Sequence, residues 1–240
     1  ATASIPISLI DEISRLENIE YIELTTKKNL KLDQSLLETN TSLVHSGANN
    51  LSHTYHGDNV IIGVIDTGID LNHLDFINSD GTTRVKKYWN QTRGMENAIP
   101  PSGYTYGHEC TEEQINDNGC ECDDCPDMSD TSGHGTHVAS IASGNGMESS
   151  GLYTGISPNS YLVIVKGLND LADAVNYIFN VADEYQMPAV INMSLGGHND
   201  PHDGTSAEYV ILNELVNDKE GRIIVAAAGN EGESELHINS

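Results

Sequence analysis

The chain has 240 residues, enough for one large α/β domain with a substantial core. Eleven basic residues stand against 36 acidic ones, a formal charge of −25. That balance argues against nucleic acid or an anionic membrane as partner, because phosphate binding needs clustered Lys and Arg. No apolar run approaches the ~20 residues needed to span a bilayer. The acidity reads first as solvated faces and second as divalent-cation binding in acidic loops.

Residues 1 to about 30 read as a small leader. There is no initiator Met and no signal-peptide pattern over residues 1–20, so the chain is expected to be an internal piece of a longer precursor. In ISLIDEISRL, residues Ile7, Ile10 and Ile13, with Leu9 and Leu16, recur at helical intervals. IEYIEL then alternates apolar and polar residues like a strand. Residues 31–58 are polar and irregular, with KLDQSLLETN as the entry to the main domain. The expected division is residues 1–38 as an N-terminal piece and 39–240 as the main domain.

From residue 59 the pattern alternates strands and helices. NVIIGVI is an apolar run of strand length, GTHVASIAS a short helix and YLVIVK a strand. LADAVNYIFNVADEYQ is a helix with Leu171, Ala174, Val175, Ile178, Ala182 and Tyr185 along one face. AVINMS is a strand, residues 205–218 a helix and RIIVAAA a strand. Continuous apolar strands separated by helices predict an α/β fold: a parallel sheet covered by helices on both faces. Sites in such sheets lie at the carboxyl ends of the strands, and Asp66, Ser194 and Gly229–Asn230 all fall at such ends.

Two of these segments carry chemistry. VIIGVIDTGID is a strand that stops at Asp66, with Asp70 as a rival acid four residues on. DTSGHGTHVAS places His134 between two glycines at a helix start. An acid at a strand end and a histidine at a helix start can orient each other and activate a hydroxyl nucleophile. Gly133 and Gly135 permit close backbone approach and unusual dihedrals. His137, three residues on, is expected inside the helix, packed or hydrogen-bonded.

Four cysteines, Cys110, Cys120, Cys122 and Cys125, share one acidic stretch, HECTEEQINDNGCECDDCPD. Two disulfides stapling a loop are the first reading. A four-thiolate zinc site is the second. A calcium loop using Asp117, Asp123 and Asp124 is the third.

The runs VIIGVIDTGID and DTSGHGTHVAS, followed in order by VINMSLGG and VAAAGNEG, resemble the subtilisin-like serine proteases, or subtilases. The resemblance covers residues 59–240 well and 1–58 loosely. It implies a serine-type endopeptidase working through an Asp-His-Ser triad, with Asp66 and His134 as two members and Asn230 as the oxyanion donor. It implies that Ser194, Leu195, Gly196 and Gly197 form one wall of a substrate cleft, and Ala227, Ala228 and Gly229 the facing wall. The family's nucleophile motif does not follow these runs, so the resemblance implies a subtilisin-like fold truncated at its C-terminus.

The leader resembles the tail of a subtilase propeptide. The implied partners are polypeptide substrates and the chain's own propeptide, and the implied location is secreted or otherwise extracytoplasmic. The chemistry requires no cofactor. Calcium is the candidate ion ahead of zinc, and no metal ligand is assigned, although Asp75 matches a family calcium position. After YLVIVK the chain enters its helix almost at once, whereas many subtilases have a longer Gly/Ser-rich connection there.

DGTSAEYV superficially matches a subtilase nucleophile. It precedes Asn230, and Ala207 directly follows Ser206, so the local reading is a capping box of Thr205 and Glu208 opening the next helix. The alternative from another class is a non-catalytic subtilase-like module that binds peptides or regulates a partner. A nucleotide-binding domain fails for want of a Gly-rich phosphate loop after the first strand.

Overall fold

The computed structural model describes residues 9, 15–16, 36–94, 97–117, 120, 128–168, 170–197 and 203–230. The chain divides into two compact units, Ala1–Lys31 and Leu32–Ser240. The leader's expected helix and strand fall in the first, of which only Leu9, Arg15 and Leu16 are described.

The second unit is built on a six-stranded sheet of order β3-β2-β4-β1-β5-β6. Its strands are β1 (Ile61–Asp66), β2 (Val85–Asn90), β3 (His108–Thr111), β4 (Tyr161–Lys166), β5 (Ala189–Met193) and β6 (Arg222–Ala226). All neighbouring pairs are parallel except β2 and β3. The described α-helices are α1 (Thr41–Ser46), α2 (Glu112–Asn116), α3 (His134–Ser143), α4 (Leu171–Tyr185) and α5 (Ala207–Asn217). None is long and apolar enough to cross a membrane.

The continuous apolar runs are explained by burial on two sides. Side chains alternate across a strand. In β1, Ile61 and Ile65 pack with α4, while Ile62 and Val64 pack in the cluster that includes Ala139 of α3. In β4, Val163 and Val165 join the first cluster, and Leu162 and Ile164 the second. Each such side chain contributes roughly 1.5–3 kcal/mol on burial, so no position in β1 or β4 can be polar without a partner. Helices α4 and α5 serve one face and α3 the other.

The strand and helix expectations from residue 59 onward hold, with differences. Strands β2 and β3 were not legible in the sequence. In β2, Val85, Tyr88 and Trp89 are buried, but Lys86 and Lys87 interrupt the apolar pattern. Both lysines find partners only in three dimensions. Lys86 bonds Glu112 and lies 4.2 Å from the Tyr161 ring centre, and Lys87 bonds Glu184 at 2.9 Å.

Within the stretch expected to be irregular, residues 41–46 form α1. The helix expected over 205–218 runs from Ala207 to Asn217, and its cap is Ser206 rather than Thr205. Ser206 Oγ accepts from the Tyr209 N–H at 3.4 Å. Thr205 instead donates to Asp203 Oδ1 at 2.6 Å, which turns its hydroxyl back into the preceding loop.

Candidate active site

Strand β1 is buried at all six positions, so its last residue, Asp66, is a carboxylate with a side chain only 2 % exposed. An isolated buried charge is costly and must be paired or hydrogen-bonded. Oδ1 accepts the Thr67 backbone N–H at 2.7 Å and contacts His134 Nδ1 at 2.6 Å. A carboxylate can only accept, so the ring proton is on Nδ1 and the neutral imidazole presents Nε2 as its lone-pair nitrogen. Oδ2 is buried and has no hydrogen-bond partner among the described residues. The imidazole itself is 53 % exposed. One end of the pair is therefore locked in the sheet and the other opens to solvent, the arrangement a general base needs.

His134 is the first residue of α3, and two glycines allow it to be there. Gly133 holds φ 75, a conformation that favours glycine, and turns the chain into the helix. At Gly135 a Cβ would fall inside the envelope of the Gly68 carbonyl oxygen and 3.1 Å from Asp66 Cβ. Only a bare backbone lets α3 approach the end of β1 closely enough for the 2.6 Å contact. Gly133 provides no capping side chain. The free N–H groups of the first turn are met from outside the helix: Thr67 Oγ1 accepts from Gly135 at 3.0 Å, and Asp130 Oδ2 from Thr136 at 2.8 Å.

Asp70 is exposed and its bonds go elsewhere. Its N–H donates to Thr136 Oγ1, and its carboxylate accepts the Asn72 N–H. His137 is exposed on α3, not packed as expected, because it stands two residues, about 200° of helix rotation, from both Gly135 and Ala139, which form the buried face. Asp75 is buried, with Oδ2 accepting from Ser140 Oγ at 2.7 Å and Oδ1 from the Glu148 N–H at 3.2 Å. Its carboxylate ties α3 to the loop that follows it. No group of three or more His, Cys, Asp or Glu side chains among the described residues converges to hold a metal.

Cys110, at the end of β3, is joined to Cys120 by a disulfide. That bond removes two of the four thiolates a zinc site would need. Cys122 and Cys125, like Asp123 and Asp124, lie outside the described residues.

The strand ends β1, β5 and β6 point the same way, so Asp66, the run Ser194–Gly197 and the run Ala227–Asn230 emerge at one edge of the sheet. Leu195 packs against the α4-side core, while Gly196 and Gly197 are exposed and face open space. The Ala227 N–H donates to the Met193 carbonyl at 3.0 Å, extending the parallel pairing one residue past β6. Ala228 is exposed, and Gly229 turns the chain at φ 93 into the exposed Asn230. Beside Asp66, a cleft of about 350 Å³ is lined by Thr67, Gln91, Ser132, Lys166, Leu168 and Asp170, among others. The short connection after β4 thus forms part of its wall.

Thr67, Asp130, Thr136 and Lys166 were not singled out in the sequence. The readable signal was an acid four residues before His134, in DTSGH.

Comparison with known proteins identifies the family. A family profile described as "Subtilase family" matches residues 57–240. The "Major intracellular serine protease" of Bacillus subtilis (strain 168) is 30% identical over 184 residues, covering 75% of this chain and 45% of that protein. The "Thermophilic serine proteinase" of Bacillus sp. (strain AK1) is 33% identical over 157 residues, covering 61% and 36%. Among solved structures, the Clostridium perfringens CspB protease superposes with a TM-score of 0.63 at 29% identity, over 81% of this chain and 40% of that one. This chain thus spans less than half the length of these relatives. The match of one family profile to residues 57–240, which hold the parallel sheet, the aspartate-terminated strand and the glycine-flanked histidine, places the chain in the subtilase family.

Proposed function

We propose that this chain carries the acid and the base of a serine endopeptidase, together with the oxyanion donor and both walls of the substrate cleft. The 2.6 Å contact between His134 Nδ1 and Asp66 Oδ1, with the imidazole open to solvent, carries the reading. The attacking group is a serine hydroxyl from chain beyond these residues. His134 Nε2 takes its proton as it adds to the peptide carbonyl, then gives that proton to the leaving amine. Asp66 keeps the ring in the required tautomer and stabilises the imidazolium. The Asn230 amide donates to the oxygen that becomes negative in the tetrahedral intermediate. An extended polypeptide pairs by strand addition with Ser194–Gly197, and Ala227–Gly229 form the facing wall of the pocket for its side chain.

Ser206 is not the nucleophile in this reading. Its hydroxyl oxygen caps α5, on the segment before β6. The 240 residues alone are therefore expected to be inactive.

We infer an extracytoplasmic location, supported by the Cys110–Cys120 disulfide, which an oxidising compartment favours. We further infer that residues 1–38 are a propeptide tail or an N-terminal extension, on the helical spacing of Ile7, Ile10 and Ile13 followed by the alternation in IEYIEL.

The test uses the complete protein and a serine-directed fluorophosphonate probe. His134→Ala should lower peptide hydrolysis roughly 10²- to 10⁴-fold, the scale of a lost general base. His137→Ala should leave it within about twofold, as expected of an exposed residue away from special features. The 240-residue chain should take up no probe. Stoichiometric labelling of that chain, lost in Ser206→Ala, would overturn the reading.

A further inference from the structure

Asp130 lies four residues before His134, outside α3, and takes no part in the chemistry above. Its carboxylate nevertheless bridges both halves of the candidate site. Oδ1 accepts from Thr67 Oγ1 at 2.8 Å and from the Gly133 N–H at 2.9 Å. Oδ2 accepts from the Thr136 N–H at 2.8 Å and from Thr136 Oγ1 at 2.7 Å. Thr67 is the residue after Asp66, and its hydroxyl also accepts the Gly135 N–H at 3.0 Å. The end of β1 and the first turn of α3 are thus joined through one carboxylate and one hydroxyl.

The segment carrying Asp130 is itself anchored to the sheet. Tyr88 of β2 donates its hydroxyl to the Met128 carbonyl at 2.6 Å. Lys166 at the end of β4 donates to the Ser129 carbonyl at 2.7 Å. Three consecutive residues, 128 to 130, are therefore tied to three neighbouring strands: to Tyr88 within β2, to Lys166 at the end of β4 and to Thr67 just past β1.

The hydrogen-bond pattern requires a carboxylate. One backbone N–H points at each oxygen. An amide in this place would set its NH₂ against an N–H in either orientation, because a backbone N–H cannot reverse its role. A carboxylate also suits the positive end of a helix. Burial pushes the Asp130 carboxyl up, but the hydrogen bonds from Thr136, Thr67 and Gly133 prevail and hold it below its ordinary value.

We propose that Asp130 is a positioning residue: by locking Thr67 to the first turn of α3, it sets the contact between Asp66 and His134. The inference rests on reading those two residues as acid and base. An ordinary helix cap would stabilise α3 without governing that contact. Here the link to β1 runs through Thr67, so capping and positioning are separable by substitution.

The test is proton NMR of the 240-residue chain, following the exchangeable Nδ1–H of His134. A proton donated to a carboxylate should give a deshielded, slowly exchanging signal, assigned by its loss in His134→Ala and Asp66→Asn. Asp130→Asn should broaden or abolish it. Thr67→Val, which keeps the Asp130 cap on Gly133 and Thr136 but cuts the bridge, should speed its exchange roughly tenfold, the scale of one lost hydrogen bond to a charged group. Asp203→Asn, which removes a similar Asp–Thr loop contact elsewhere, should change nothing.

An unchanged signal in a folded Asp130→Asn overturns the proposal, as does absence of the signal from the unmodified chain. Unchanged exchange in Thr67→Val also overturns it, because the carboxylate would then act as a cap alone. That variant decides the matter if Asp130→Asn does not fold. The readout needs no turnover. A complete protein that fails to cleave peptides while this signal responds as stated would defeat the enzyme reading and leave the positioning role standing.

Discussion

Gly135→Ala is the sharpest available perturbation of the candidate site, since it adds one methyl group and removes no contact directly. The added Cβ would overlap the Gly68 carbonyl oxygen and lie 3.1 Å from Asp66 Cβ and 3.2 Å from Asp66 Oδ1. The overlapped atom is backbone, so no side chain can swing aside. Helix α3 or the turn after β1 must retreat, by about 1 Å to restore ordinary contact. Such overpacking costs about 1–3 kcal/mol, offset by at most about 1 kcal/mol from the better helix propensity of alanine. The retreat also stretches the Gly135–Thr67 bond of 3.0 Å and the His134–Asp66 bond of 2.6 Å.

Gly133→Ala is the matched control. Nothing lies within 4 Å of its Cβ, and its cost is confined to placing a side chain at φ 75. That amounts to about 1–2 kcal/mol. Thermal unfolding should therefore fall by a few degrees for each variant, at roughly 2–4 °C per kcal/mol for a chain of this size. Only Gly135→Ala should also disturb the His134 Nδ1–H signal. A Gly135→Ala protein with unchanged melting and an unchanged signal would refute the close-approach argument.

Three further outcomes are expected. Arg84 is buried and donates to the carbonyls of Asp75, Ser143 and Ser160 and to Ser143 Oγ. Arg84→Met should cost about 3 kcal/mol or more in urea unfolding by stranding several buried acceptors, and a loss under about 1 kcal/mol would contradict that role. In acid, Asp183 is held below its ordinary value chiefly by the hydrogen bond from Lys219, and Asp130, although burial pushes it up, is held below its own by four donors. Their folded-state values lie below the unfolded ones, so their stabilisation is complete above about pH 4 and lost as pH falls through the folded values. The melting temperature should decline below about pH 4, less steeply in Asp130→Asn, and a flat profile in the parent chain would count against this. Peptide mapping without reduction should find Cys110 bonded to Cys120, whose loss in Cys110→Ala/Cys120→Ala should cost about 2–3 kcal/mol for so short a loop. Free, alkylatable Cys110 in protein from an oxidising compartment would refute the pairing.

The parallel core could be read from the chain because β1 and β4 are apolar on both faces, β5 is apolar but for Asn192, and they alternate with helices of recognisable period. The same holds for Asp66 and His134, which stand at element ends within runs too specific to be turns. Strands β2 and β3 could not be read, since Lys86, Lys87, His108 and Glu109 break the apolar pattern that local rules rely on. His108 is buried in the fold, where burial holds its imidazole below its ordinary value and its Nδ1 accepts the Ile99 N–H. The cap of α5 is Ser206, one position after the one the Thr205-x-x-Glu208 spacing favours, because Asp203 captures the Thr205 hydroxyl.

Hydrophobic periodicity and short motifs act over a few residues, so the amino-acid sequence by itself determined the α/β class, the strand that ends at Asp66 and the helix that begins at His134. The motifs anticipated that Asp66 and His134 act together, but the geometry of contacts between residues 60 or more apart was decided only by the tertiary structure. Asp66 meets His134 across 68 positions, and Thr67 meets Asp130 across 63. No local pattern encodes such separations. They follow from sheet order, which sets β4 between β1 and β2, and from the bare backbone of Gly135, which lets α3 close on the strand end.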